Sequence, residues 1–218
     1  MSSGILTLTG MVLSATPVGE NDKRVTLLSR EQGKLYAFAR GARRQSSPLL
    51  ASTEPFALGT FQVFEGRSSY NIEKAEITHY FREIASDPVA PYFGFYFLEL
   101  ADYFTFENLP GEEELSLLFY ALKALLLEQF DNALIRRIVE LKTLVIAGEY
   151  PDPDRLSLSQ SADYAMRYII GKSVRELFTF AVTDEVLSEL SGAIDRYFAV
   201  NVRHEFRSLS ILQEMIGR

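Results

Sequence analysis

The sequence predicts an α+β protein, with a small five-stranded barrel at the N-terminal end and an all-helical part after it. Three observations lead there. Residues 1–80 hold short apolar runs rich in Val, Thr, Phe and Tyr, separated by glycine-bearing turns. From about Tyr80 the apolar spacing changes to that of helices, without the strand–helix alternation of an α/β sheet. The charge divides near the same place: residues 1–70 carry eight Lys/Arg against five Asp/Glu, net +3, and residues 71–218 carry fourteen against twenty-four, net −10. A basic, phosphate-facing half of 1–80 and an acidic, scaffold or partner-facing half of 81–218 follow from that division.

The first strand is expected over Ile5 to Leu13, where apolar residues interleave with Thr7 and Thr9. After a polar turn at Gly19–Asp22 comes Val25–Leu28. Leu35, Ala37 and Ala39 then alternate with Tyr36 and Phe38, a strand apolar on both faces. Phe56–Phe64 and Tyr70–Ile77 flank a hairpin marked by Glu65-Gly66-Arg67. Gly33 is expected to close a tight turn and Gly41 to bend the backbone at a barrel edge. Five short strands with such turns fit a small barrel.

In the second half, Pro88–Phe106 is apolar but interrupted by Pro91, Gly94, Glu99 and Asp102, so it reads as a buried helix and not a membrane span. Leu115–Phe130 is expected as a largely buried helix, with Glu112, Glu113 and Glu114 complementing its dipole. Asp131-Asn132 offers an N-cap for a helix whose face is Leu134, Ile138, Leu141 and Val145, and Gly148 stops it before Pro151. Further helices are expected at Ser161–Ile170, Asp184–Tyr197 and Phe206–Met215.

Composition removes several function classes. A hydrophobic content of 47% excludes a disordered chain. The absence of cysteine excludes disulfides, thiolate metal sites and a cysteine nucleophile, and fits a reducing cytoplasm. The start, Met-Ser-Ser-Gly-Ile-Leu-Thr, lacks the positive and apolar regions of a signal peptide. With only His79 and His204, a histidine metal site is not expected. Phosphate-loop, nucleophile-elbow, zinc-protease and dinucleotide motifs are all missing, and Asp152 and Asp154 lack the continuation of a calcium loop, so a binding protein without cofactor is favoured over an enzyme.

The residues that carry the functional reading are Lys23, Arg24, Arg30, Lys34, Arg40, Arg43 and Arg44, seven cations within 22 positions. Such a cluster neutralises phosphates and gains affinity by releasing counterions; the same charges also suit an ordinary solvated barrel surface. Tyr36, Phe38, Phe56, Phe61, Phe64 and Tyr70 lie near them. Most must fill the barrel, and the hydroxyls of Tyr36 and Tyr70 make these two the candidates for base stacking.

The segments Gly10–Leu13, Gly19–Leu28, Arg30–Lys34 and Ala39–Arg44 closely resemble, in residue type and spacing, the start of the RecO family of bacterial DNA repair proteins. Weaker similarity continues at Glu54–Phe56, Ala75–Ile77, Glu140–Gly148, Tyr150–Asp152, Tyr197 and Arg207–Leu209. The resemblance implies an OB-fold barrel followed by a helical domain, and a cytoplasmic, nucleoid-associated recombination mediator of the RecFOR pathway. It implies binding of single- and double-stranded DNA, strand annealing, and action with RecR to load RecA onto gaps coated by single-stranded DNA-binding protein, whose acidic, phenylalanine-ending tail is also bound. Many members carry a four-cysteine zinc site. Here its first pair falls on Leu156 and Ser159, so zinc is not expected and the segment near 151–165 is a degenerate form of that site. Ser46 and Pro48 stand where the family often has further basic residues, which implies DNA affinity that is lower, more salt-sensitive or partner-dependent.

The leading expectation is a non-enzymatic, DNA-binding recombination mediator in which the seven cations form one continuous track. The alternative is a protein-interaction adaptor with weak DNA binding, in which Arg136 and Arg137 meet the acidic tail; the bland reading of those two arginines is the solvated side of an amphipathic helix. A hydrolase would need a cleft that the sequence does not advertise.

Overall fold

The computed structural model describes residues 4–66 and 69–217. Arg67 of the expected hairpin and the first three residues of the leader reading lie outside the described residues. Five strands, β1 (Ile5–Val18), β2 (Asp22–Ser29), β3 (Gly33–Ala39), β4 (Leu58–Glu65) and β5 (Tyr70–His79), close a barrel in the order β1-β2-β3-β5-β4. All pairings are antiparallel except β3 with β5, which is parallel. A short helix α1 (Leu49–Ser52) lies between β3 and β4. This is the mixed five-stranded topology of an OB-fold.

β1 runs to Val18, five residues beyond the expected end. Its first half pairs with β4 (Ile5–Met11) and its second half with β2 (Gly10–Val18), with a register shift between Val12 and Ser14. One strand thus serves two neighbours, as closure demands, and the bulge lets it bend between them. Ser14, Thr16 and Pro17 are held extended by their partners on β2.

Alternation decides what fills the barrel. Val25 and Leu27 of β2, Leu35, Ala37 and Ala39 of β3, and Phe61 and Val63 of β4 point inward with Leu8, Val12 and Ile72. The intervening Arg24, Tyr36 and Phe38 fall on the outer face. Gly33, at φ +69, sits where a Cβ would come within 2.0 Å of the Leu109 carbonyl oxygen, so no other residue fits there without a shift of backbone.

The helices are α2 (Ala90–Phe104), α3 (Glu112–Ala124), α4 (Asn132–Ile146), α5 (Gln160–Gly171), α6 (Asp184–Asn201) and α7 (Arg207–Ile216). The chain forms two compact units: the barrel together with Ala101–Leu115, and Glu83–Leu100 together with the described chain from Ser116 onward. In the second, α4 is buried from Leu134 to Leu144, nearly all round, and packs against α5 and α6. Asp131 caps it by accepting from Ala133 N at 2.7 Å. Gly148 ends it at φ +76, with Glu149 N donating to Leu144 O and Gly148 N to Val145 O.

α3 is shorter than expected. It stops at Ala124, and Leu126 and Leu127 make three-residue turns to Lys123 and Ala124. The apolar run Leu115–Phe130 is broken only by polar residues such as Lys123 and Glu128, and Ala124–Leu127 carries neither a glycine nor a proline to mark where the helix ends.

Candidate nucleic-acid interface

β2, β3 and the loops that follow them place the seven expected cations in three different settings. Lys23 follows the inward alternation of Val25 and Leu27 and is 7% exposed. Its ammonium donates to Leu50 O (3.0 Å), Thr53 Oγ1 (3.2 Å) and Glu54 Oε1 (2.6 Å), pinning the barrel end to α1 and the residues just after it. Burial against those acceptors removes it from any phosphate track. Lys34 is also engaged: its ammonium bonds Asp102 O and lies 3.1 Å from Asp102 Oδ1, with a side chain only 14% exposed. Arg30, at the β2–β3 turn, is exposed and lies 3.8 Å from Glu112 Oε1.

The remaining four, Arg24, Arg40, Arg43 and Arg44, are exposed and converge at the other end of these strands. Arg24 stands opposite Phe38 in the β2–β3 register, and Arg40 follows just past the end of β3. Arg40 Nε donates to Asn71 Oδ1 at 3.2 Å. Gly41, at φ +67, turns the chain, and Asp22 Oδ1 accepts from its N–H at 2.7 Å. Arg43 then donates through its backbone N to Asn21 O (2.9 Å) and through Nη1 to Gly19 O (2.8 Å). These bonds lace the β1–β2 turn to the loop after β3 and fix where the arginines stand. Each guanidinium has five donors, so one bond to a carbonyl leaves others for a ligand. Arg24 and Arg30 are separated by the length of β2 between them, about 20 Å for six extended residues. The cations therefore form an exposed group of four at one end, Lys23 buried beside them and Arg30 and Lys34 carboxylate-paired at the far end, not one continuous track.

A groove of about 550 Å³ lies on the outer barrel face, with Arg24 in its lining. Tyr36, Phe38 and Tyr70 line it with Arg24, and Glu65 and Glu107 also border it. Tyr36 is 44% exposed. Burial, then the charges of Glu65 and Glu107, raise the Tyr70 hydroxyl above its ordinary value. Phe38 is the lining ring that sequence reasoning leaves in the core. A signal for it exists: it shares the parity of Tyr36 and opposes that of Leu35 and Ala37. Phe61 is the one of these six rings that is fully buried in the barrel core; Phe56 and Phe64, like Phe38, are only half-buried, so the expectation that most of them fill the barrel does not hold. Glu107 has no local signal at all. It reaches the groove because Gly33 bridges to Glu107 and Lys34 N donates to Phe106 O at 3.1 Å.

Arg136 and Arg137 do not lie on a solvated helix face. α4 is buried on that side too, and the two arginines share Glu140: Arg136 Nε to Oε1 at 2.8 Å and Arg137 Nη1 to Oε2 at 2.7 Å. Arg137 also forks onto Asp195 at 2.6 and 3.0 Å and donates to Ser191 Oγ at 2.9 Å. Burial lowers the Arg137 pKa, but Glu140 and Asp195 more than offset this and raise it above the ordinary value. Tyr96 donates to Glu140 Oε1 at 2.8 Å, its hydroxyl pushed well up, first by burial and then by Glu140. A cavity of about 360 Å³ beside the pair is lined by Phe93, Leu187, Ile216 and Asp184. The two arginines are matched by two carboxylates, and Asp184 adds a third, so charge alone does not draw an acidic tail there.

His204 Nε2 lies 3.7 Å from Glu99 Oε1, and Glu99 accepts from Arg207 N and Ser208 N at the start of α7. Glu99 thereby serves as a helix cap. The residues do not suit the family's zinc. The chain has no cysteine, and among the described residues no group of three or more His, Asp or Glu side chains could hold a metal ion. In this region Arg167 clasps Asp154 (2.5 Å) and Asp163 (2.9 Å), tying the Pro153–Arg155 turn to α5. Among the described residues no helix is long and apolar enough to cross a membrane.

Comparison with known proteins agrees with the barrel and the helices. Residues 1–81 match the family "Recombination protein O N terminal" and residues 85–157 match "Recombination protein O C terminal". A DNA repair protein RecO of Acetivibrio thermocellus is 24% identical, over 96% of this chain and 97% of its own length. Those of Bacillus pumilus and Shouchella clausii are 36% and 34% identical over 67% and 66% of this chain, matches that span 57% and 56% of those relatives. The chain belongs to the RecO family of DNA repair and recombination proteins, non-enzymatic mediators.

Proposed function

We propose that the chain binds single-stranded DNA across the outer face of β2 and β3, and that this binding serves strand annealing and the loading of RecA onto gaps. The observation that carries the reading is an aromatic-lined groove bordered by Arg24, on the OB barrel end where Arg40, Arg43 and Arg44 are also exposed. Bases stack on Tyr36, Phe38 and Tyr70, while phosphates meet Arg24, Arg40, Arg43 and Arg44. Strand and loop hydrogen bonds hold both features before the ligand arrives, so little ordering is needed on binding. Two strands captured with their phosphates neutralised can approach closely enough to pair. Family membership supports RecR, double-stranded DNA and the tail of the single-stranded DNA-binding protein as further partners.

Annealing of complementary labelled oligonucleotides, with and without the coating protein, tests the reading. The intact chain accelerates annealing, and Tyr36→Ala weakens single-strand binding by roughly 5- to 150-fold, the range for loss of one stacked base. Silence in both conditions, with tail-peptide binding intact, moves the function to the adaptor reading.

A further inference from the structure

The groove that would hold a polyanion is bordered by two carboxylates, Glu65 and Glu107. Both are exposed, and the fold fixes where each one stands. Glu65 ends β4 and stands opposite Tyr70 in the β4–β5 register. Glu107 is held through the bridge of its backbone to Gly33.

Carboxylates repel phosphates, so a strand lying in this groove keeps its backbone at the arginine side and turns its base edges toward Glu65 and Glu107. An ionised carboxylate only accepts hydrogen bonds. Guanine offers two adjacent donors, N1–H and the N2 amine, which match both oxygens of one carboxylate. Cytosine and adenine each offer one amine, at N4 and N6. Thymine offers a single imide N–H flanked on both sides by carbonyl oxygens, which a carboxylate meets unfavourably.

We propose that Glu65 and Glu107 make this groove selective for bases that carry an exocyclic amine, guanine first and thymine last, on top of its sequence-independent hold on phosphate. The proposal rests on the single-strand reading above and assigns these two residues a role in specificity. The carboxylates give up some affinity through repulsion and gain base discrimination, whereas the arginines contribute equally to every sequence.

Competition binding with the full chain tests it, using a twelve-nucleotide thymine oligomer and the same oligomer with two separated thymines replaced by guanine, cytosine or adenine. The guanine oligomer is expected to bind at least about fivefold tighter than the all-thymine one, the low end of what one bidentate base contact discriminates, with cytosine and adenine between. In Glu65→Gln with Glu107→Gln, the order flattens and affinity for all-thymine DNA rises as repulsion is lost. Equal affinity for all four oligomers, with salt-dependent binding intact, overturns the selectivity and leaves the single-strand reading standing. An unchanged order in the double variant overturns the assignment to these residues. Absence of binding to every oligomer brings down both.

Discussion

Lys23 and Arg24 are neighbours in β2 and point to opposite sides of it, one into the barrel end and one to the groove. Composition treats them alike, but strand parity separates them: Lys23 keeps step with Val25 and Leu27. Replacing Lys23 with Met is expected to destabilise the fold by about 1–3 kcal/mol, since Leu50 O, Thr53 Oγ1 and Glu54 lose a charged donor. Urea denaturation reads this, while the salt dependence of DNA binding stays unchanged; a shifted salt dependence would return Lys23 to the phosphate contacts. Tyr70 supplies a second check. Its folded hydroxyl is raised above 10.0 by burial and then by Glu65 and Glu107. The neutral phenol is therefore favoured in the fold, a contribution present below the unfolded value and lost as pH rises through the folded one. Glu65→Gln lowers the Tyr70 titration toward 10.0 without reaching it, because burial remains; ring-carbon NMR of labelled tyrosine measures it.

The strands and helices show which signals act locally. Alternation in Leu35–Ala39 and the Asp131 cap are legible because each depends on neighbours in sequence. The extension of β1 to Val18 and the early end of α3 are not, since the first follows from pairing across the barrel and the second from turns within a leucine run that no glycine or proline marks. The four-arginine group is half legible: Arg40, Arg43 and Arg44 follow each other in one loop, but only the β2–β3 register brings Arg24 to them. Glu107 is invisible because a bridge to Gly33, 74 positions away, delivers it. That bridge also gives a prediction. Gly33→Ala combines positive φ with a clash against the Leu109 and Phe106 carbonyls, so it costs more than about 1 kcal/mol. Thermal denaturation reads the loss, and an unchanged melting temperature would mean that this segment is not fixed on β3.

Across the molecule, the overall charge of −7 conceals a barrel that exposes Arg24, Arg40, Arg43 and Arg44 at one end. Two of the seven expected cations, Lys23 and Lys34, are committed to acceptors within the protein, and Arg30 faces Glu112. A net negative chain can still bind DNA when its unpaired positive groups are concentrated, because counterion release depends on the phosphates contacted and not on total charge. The four-arginine group is thus the element on which the DNA reading stands. The direct measurement is the slope of log affinity against log salt for a thymine oligomer, in the intact chain and in Arg43→Ala with Arg44→Ala. About four contacts on a single strand predict a slope near −3, falling in magnitude by about 1.4 in the double variant. A slope near zero in the intact chain, or the same slope in both proteins, would contradict the account.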